Sequence, residues 1–202
     1  MIEVSRVLEL HESTVELWHR EEIANPFDAV YQLICQQHEF NFRLWHEEDT
    51  ARCPNASDEE IANVKRAIDK LNQNRNDWIE KVDVWIEDEL GRQSIVAKPD
   101  ARLNTETPGS AIDRLSILAL RLYHLEEQLE RADADMEHLN SVGQKICIAQ
   151  MQRENLSNSL AELLADIFAG RMRHQTYRQM KMYNDPSLNP CLLYTSPSPR
   201  DS

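Results

Sequence analysis

Polar side chains interrupt the apolar face of the second predicted helix, and these residues are the first candidates for chemistry. The face begins with apolar residues near Phe27 and becomes polar halfway along the helix. The candidate ligand-binding residues of this helix are His38, Asn41, Trp45, His46, Glu48 and Asp49. Imidazole, amide and carboxylate groups can orient a ligand, bind a metal ion or transfer a proton. This half of the helix is therefore a candidate site.

A second polar stripe lies beside the apolar seam of the third predicted helix. Its candidate ligand-binding members are Lys65, Asp69, Asn72 and Asn76. Arg75 occupies a position of the seam itself, and Arg153 interrupts the seam of the fifth predicted helix in the same way. Burying such groups without partners is costly, so they must be exposed, paired with one another or gathered around a ligand.

These polar residues have two main interpretations, and simple exposure to solvent is a third. In the first, they form a polar layer inside a helical bundle, where Arg75 and Arg153 pair with Glu48, Asp49 or Asp69 and fix the helix register. In the second, helices two and three enclose a pocket, the kind of place where bundles build their sites. Arg75 and Arg153 would then bind an anionic small molecule, and the acids would hold a metal ion or orient the arginines.

Acidic residues on the same two helices form a weak magnesium-site pattern. All-α nucleotide pyrophosphohydrolases hold Mg²⁺ with an EExxE helix and an ExxD helix, because hard cations require several carboxylate oxygens. The candidate metal ligands here are Glu48, Asp49, Glu80 and Asp83. Ala51 stands where the third acid of EExxE would be. A ferritin-like centre needs two ExxH helices, and only Glu16 to His19 has that spacing, so we exclude it.

The elements that must position these residues are helices. Glycine contributes 4 of the 202 residues, too few for the many tight turns of a β-sandwich or barrel. Long proline-free runs with apolar residues three and four positions apart predict helices instead. The predicted ranges are 5–22, 27–52, 58–90, a fourth helix opening at 107–108, and a last helix from 133 that could reach 183. The sequence predicts an all-α fold, a single antiparallel bundle of about five helices with a long C-terminal helix.

Capping residues mark the predicted helix ends. The predicted caps are Ser57 before the third helix, Thr107 before the fourth, Asp133 before the fifth, and Gly91 after the third. The fifth helix would be much longer than the others. We therefore expect a kink near Gly143 or Gly170, or an end that projects from the bundle.

Charge and composition restrict the partners and the location. The formal net charge of -13 opposes general nucleic-acid binding, which needs a basic surface. No stretch has the ~18 apolar residues of a transmembrane helix, and the N-terminus has no pattern of a secretory signal. The four cysteines have no metal-binding spacing and are expected to be reduced thiols. We expect a cytoplasmic protein that does not associate with membranes.

The last residues differ in character from the rest of the chain. CLLYTSPSPRD, at 191–201, resembles the translation of a transposase adapter used in sequencing libraries. Segments of this kind are excluded from fold reasoning. We therefore expect residues 1–190 to form the helical domain and 191–202 to be a non-native tail, with the native C-terminus missing.

Four sequence blocks resemble a known family. They are LWHEED at 44–49, KRAIDKLNQNRND at 65–77, ETPGSAIDRLSILAL at 106–120 and KMYNDPSLNP at 181–190. Together they are similar to the bacterial domain of unknown function family 4254, over nearly all of residues 1–190. The resemblance implies a bacterial helical protein and brings no established activity.

The residues favour a function in small-molecule binding, either as a binding protein or as an enzyme, with a polar pocket between helices two and three. Its ligand would be anionic or phosphorylated, bound by Arg75 and Arg153. The alternative is a non-catalytic interaction module whose long helix mediates homo-oligomerisation. A second alternative is a Mg²⁺-dependent enzyme similar to the nucleotide pyrophosphohydrolases, with Glu80 and Asp83 among the ligands.

Overall fold

Five α-helices make up most of the described chain, which comprises residues 1–178 and 187–189 of a computed structural model. The helices are α1 (Val4–Trp18), α2 (Ala29–Ala51), α3 (Asp58–Arg92), α4 (Pro108–Leu129) and α5 (Met136–Phe168). Two short segments, β1 (Arg102–Leu103) and β2 (Met172–Arg173), pair in parallel. The all-α bundle is confirmed. None of the described helices combines the length and the apolar character needed to cross a membrane.

Local capping explains where most helices begin. Ser57 accepts a hydrogen bond from the Glu60 amide, and Glu60 bonds back to the Ser57 amide, so a capping box opens α3 as predicted. Thr107 caps α4 ahead of a proline, also as predicted. The predicted cap of α5 was wrong by two residues. Asp135 accepts from the His138 amide at 2.8 Å, whereas Asp133 forms an ion pair with a neighbouring arginine.

Two predicted helix ends differ from the structure. Gly91 lies inside α3 rather than after it, because the helix continues to Arg92. α5 ends at Phe168, where Gly170 adopts a φ of +68° that favours glycine over residues with a side chain. The prediction that this helix could extend towards Tyr183 was wrong for residues up to 178, and residues 179–183 lie outside the described chain.

The first two helices run in the same direction. The Glu3 amide donates to the Tyr31 hydroxyl at 3.0 Å, and the His19 ring lies 5.2 Å from the His46 ring. In both contacts the residue of α2 follows its partner in or beside α1 by nearly the same number of positions in the sequence. Two helices keep such a constant offset only when they are parallel. Residues 19–28, which lie between the helices, span up to about 33 Å when extended, more than the length of about 22 Å expected for α1. The chain can thus return to the start of α1 before α2 begins.

The α3 helix runs antiparallel to α4. Arg75 contacts Asp113 on α4, and Asp83, two turns later on α3, accepts from the amide of Gly109 at 2.7 Å. Gly109 is closely packed, since a Cβ there would lie 2.7 Å from a backbone oxygen of α3. These two contacts fix the position of α3 along α4.

A buried carboxylate joins α2, α3 and α4. Asp113 accepts hydrogen bonds from Gln37 at 2.5 Å, from Asn41 at 2.9 Å and from Arg75 at 2.7 Å. Asn41 also donates to Ser116 at 2.8 Å. A guanidinium and two amides thus compensate a charge that would otherwise be costly to bury. We call this set the Asp113 network.

We predict that Asp113→Ala lowers the free energy of unfolding by about 3 kcal/mol, because the largely buried Arg75 then loses its counterion. Chemical denaturation of the purified protein measures this change. Asp113→Asn should cost less, since it keeps the hydrogen-bonding shape. Asp133→Ala, which breaks an exposed ion pair, should change the stability far less. An equal loss at both aspartates would contradict the role of the Asp113 network.

Two fully buried histidines face each other between α1 and α2. The ring centroids of His11 and His38 are 4.6 Å apart, and both side chains are inaccessible to solvent. Burial lowers the pKa of His11 to about 3. Burial, reinforced by the neighbouring His11, also lowers the pKa of His38 well below its usual value. Both rings are therefore neutral in the folded protein.

We predict that acid destabilises the fold through these two residues. An unfolded histidine titrates near 6.5, so below that pH the unfolded chain binds protons that the folded chain excludes. Each such histidine contributes a loss of about 1.4 kcal/mol per pH unit below about pH 6. Urea unfolding at several pH values should therefore give a shallower pH slope for His11→Leu. Leu10→Ala should lower stability without changing the slope. An unchanged slope in His11→Leu would contradict the prediction.

Candidate metal centre

Three histidines from three helices meet at one end of the bundle. One ring nitrogen from each of His19, His46 and His124 lies within 4.8 Å of the other two. The ring centroids are 5.1 to 5.9 Å apart. Within residues 1–178 and 187–189, no other group of three histidine, cysteine or acidic side chains comes as close. We call this group the histidine centre.

Helix direction places the three rings together. His19 is the C-cap of α1, whereas His46 and His124 lie in the C-terminal halves of α2 and α4. Trp45 stacks on His124 at 4.8 Å, while the Asp113 network joins the same two helices nearer their starts, so α2 and α4 are also parallel. The C-terminal end of α1 carries partial negative charge, which favours a cation beside His19.

Each ring of the histidine centre has one nitrogen already engaged. Nδ1 of His19 lies 2.7 Å from the Val15 carbonyl oxygen, and Nδ1 of His46 lies 2.9 Å from a carbonyl oxygen of α2. Nδ1 of His124 lies 2.7 Å from a carboxylate oxygen of Glu127. These oxygens accept, so Nδ1 carries the hydrogen and the Nε2 lone pair is free. Metal-binding histidines typically have this arrangement, with a carbonyl or carboxylate on the other nitrogen.

Two of the free nitrogens are shielded from solvent. Nε2 of His19 and Nε2 of His124 are buried and have no hydrogen-bond partner among the described residues. Burial lowers the pKa of His19, and the other two imidazoles lower it further. A neutral imidazole is the form that binds a metal. For His19, the lowered pKa therefore favours the form that binds a metal.

Aromatic side chains hold the rings in place. Tyr123 stacks on His19 with centroids 4.2 Å apart and an interplanar angle of 18°. Trp45 stacks on His124 at an angle of 9°, and Phe42 contacts His19 edge-on. Such packing restricts the rotation of the imidazoles, which reduces the ordering cost of binding.

The donor set fits a transition metal rather than magnesium. Imidazole nitrogen suits zinc, copper, iron and nickel, whereas Mg²⁺ requires oxygen ligands. Tetrahedral zinc, with Zn–N bonds of about 2.0–2.1 Å, places its ligand atoms about 3.4 Å apart. The ligand atoms now lie within 4.8 Å of one another, so zinc binding would draw them together by up to about 1.4 Å.

A family comparison agrees with the sequence resemblance. A family model described as "Protein of unknown function (DUF4254)" matches residues 31–176, well over half of the chain. The chain belongs to this family. The matched range of the DUF4254 family includes His46 and His124 and begins after His19. No curated protein and no solved structure matches the chain.

The residues first suspected from the sequence of this DUF4254 member do not form one cluster. His38, Asn41 and Arg75 belong to the buried interior, where His38 lies 2.6 Å from Ser116 and the other two bond to Asp113. His46 belongs to the histidine centre, and Trp45 stacks on its His124. Asn72 and Asn76 are half-buried on α3.

The remaining candidates form ion pairs nearer the surface. Glu48 pairs with Arg52 at 2.9 Å, and Lys65 pairs with Asp69 at 2.5 Å. Asp49 is exposed. Arg153 pairs with Glu12 of α1. The partners predicted for the two seam arginines were wrong. Arg75 pairs with Asp113 of α4, and Arg153 pairs with Glu12 of α1.

The four acids of the magnesium pattern also lie apart. Asp83 is buried, and its carboxylate accepts from the Gly109 amide at the start of α4. Burial raises the pKa of Asp83, and the side chain serves to position α4. Glu48 pairs with an arginine on its own helix, and Glu80 lines a shallow surface cavity with Asp77. The structure does not bring the four together.

Sequence reasoning missed two of the three histidines. His19 was considered only within an ExxH pattern, and His124 was not considered. A signal was present, because His11 and His19 are spaced by eight residues, as are His38 and His46. Equal spacing places two histidine pairs on facing stripes if the helices are parallel, whereas the predicted bundle was antiparallel.

Proposed function

We propose that this protein binds one divalent transition-metal ion, preferably zinc, through Nε2 of His19, His46 and His124. The proposal depends on one observation, the convergence of three imidazole rings whose Nδ1 atoms are already hydrogen-bonded. Three rings that close together and leave buried nitrogens unpartnered would be unfavourable without a ligand. A metal ion satisfies those nitrogens at once.

Three protein ligands are typical of catalytic rather than structural zinc sites, because the fourth position stays open for water or substrate. Zinc bound in this way makes water acidic enough to supply hydroxide near neutral pH. Glu127 would hold the His124 ring and strengthen it as a ligand through the hydrogen bond to Nδ1. We therefore place the protein among metal-dependent enzymes that act through bound water.

The anionic ligand expected from the sequence would bind at the metal rather than at Arg75 and Arg153. The Arg75 guanidinium is already bonded to Asp113, which leaves it a poor anion receptor. An anionic group of a small molecule would instead occupy the open position of the metal. Binding of a small anionic molecule thus remains part of the proposed function, with the metal in place of the two arginines.

We predict that the full chain binds one zinc ion and that His46→Ala or His124→Ala weakens binding by about 100-fold. Titration against a chromogenic chelator measures stoichiometry and affinity. Zinc should also raise the melting temperature of the wild type, and this increase should be lost in the variants. Glu127→Gln should weaken binding by about 10-fold.

The matched control is His174→Gln. His174 bonds to a backbone oxygen of α3 that lies near the start of α4. His124 lies about 22 Å farther along the α4 axis. This variant should bind zinc as the wild type does. Stability measured in EDTA would show whether the other variants are folded. Unchanged zinc affinity in a folded His46→Ala protein would overturn the proposal.

A further inference from the structure

The buried pair of His11 and His38 lies in the interface that attaches α1 to the bundle. His11 belongs to α1 and His38 to α2, and both side chains are fully buried. Neither ring nitrogen of His11 has a hydrogen-bond partner among the described residues. A protonated imidazole has two N–H donors that need acceptors. The interface therefore disfavours a proton on His11 while α1 is bound.

The surroundings of the pair do not compensate such a charge. No carboxylate of residues 1–178 and 187–189 forms a hydrogen bond with either ring, and Nδ1 of His38 lies 2.6 Å from the Ser116 hydroxyl. Asn41 separates Ser116 from the Asp113 carboxylate. The charge of Asp113 is already paired with Arg75 of α3.

Ionisable groups on the other elements around the pair are neutral or paired as well. Cys35 of α2 is a neutral thiol, because burial raises its pKa to about 12. Glu12 follows His11 on α1, and its carboxylate pairs with Arg153 of α5. The charge that acts on His38 is that of His11, which lowers the pKa of His38 further than burial alone. A proton on the pair is therefore opposed rather than stabilised.

The attachment of α1 differs from that of its neighbours. The Asp113 network joins α2, α3 and α4 and includes no residue of α1. Apolar side chains such as Val7, Leu10 and Val15 hold α1 in the core. α1 can thus separate from the bundle without breaking the hydrogen bonds that fix the other three helices.

The same helix carries one ligand of the histidine centre. His19 is the C-cap of α1, about 12 Å along the helix axis from His11. Trp18, which directly precedes His19, stacks on His38 with ring centroids 5.3 Å apart. Movement of α1 away from His38 therefore also moves His19 away from the other two histidines of the centre.

We infer that α1 is an acid-released arm that controls the metal. Proton uptake by His11 and His38 detaches α1 from α2 and α4, and His19 leaves the histidine centre with it. Zinc binding and proton uptake by the pair are then mutually exclusive, although the two sites share no residue. The release of α1 follows from the contacts of the pair, and only the release of the metal rests on the proposed function.

Hydrogen exchange on the zinc-free full chain tests the arm by itself. A histidine exposed to solvent titrates near pH 6.5. Each histidine of the pair should therefore raise the ratio of released to bound α1 by about 10-fold between pH 7.5 and about pH 5.5. At the lower pH the amides of α1 should exchange while those of α3 stay protected. In His11→Leu the α1 amides should lose about 10-fold less protection over the same interval.

Zinc affinity at the same two pH values tests the coupling. Protonation of the three metal ligands weakens zinc binding at the lower pH in every variant. The wild type should lose about 10-fold more affinity than His11→Leu, which lacks one histidine of the pair. Leu10→Ala is the matched control, because it loosens α1 without removing a titratable group. It should lose at least as much affinity over this interval as the wild type.

The two measurements separate this inference from the proposed function. If zinc does not bind at neutral pH, the proposed function fails, and hydrogen exchange alone decides whether the arm exists. Equal opening of α1 and α3 at the lower pH would overturn the arm. Equal losses of zinc affinity in the wild type and His11→Leu would overturn its control of the metal. Exchange of the wild type needs no variant, so the test stands even if His11→Leu does not fold.

Discussion

The Asp113 carboxylate fixes the positions of three helices along one another, and the position of the histidine centre depends on it. Its hydrogen bonds to Gln37 and Asn41 fix α2 against α4, and its ion pair with Arg75 fixes α3 against both. α2 continues without a break from Asn41 to His46, and α4 continues without a break from Asp113 to His124. A slip of one turn at the carboxylate would move the rings of His46 and His124 apart by about 5 Å.

The parallel course of α1 and α2 supplies the third ring. An antiparallel hairpin would place the end of α1 beside the start of α2, away from His46. The return of the chain through residues 19–28 instead brings both C-terminal ends together. Rings then follow one another along the interface, from His11 and His38 through Trp18 and Phe42 to His19. Imidazoles replace ordinary core residues there, and the predicted acid sensitivity of the fold follows from their burial.

Local signals in the sequence were sufficient for the helices and for part of the polar interior. The caps Ser57 and Thr107 act on neighbouring amides, so their effect is readable without a partner helix. Arg75 was recognisable as a polar interruption of an apolar seam, but its partner was not, because pairing depends on which helix lies opposite. The histidine centre combines three distant segments. Its formation depends on the direction of α1, which is set by an extended connection without a helical pattern.

Zinc K-edge X-ray absorption on the zinc-loaded full chain would show whether the three histidines bind the metal, since it reports the ligands of the bound ion. We expect a first shell of nitrogen and oxygen at about 2.0 Å, with the outer-shell scattering of about three imidazole rings from His19, His46 and His124. A shell of oxygen atoms without imidazole scattering, or sulfur at about 2.3 Å, would contradict it.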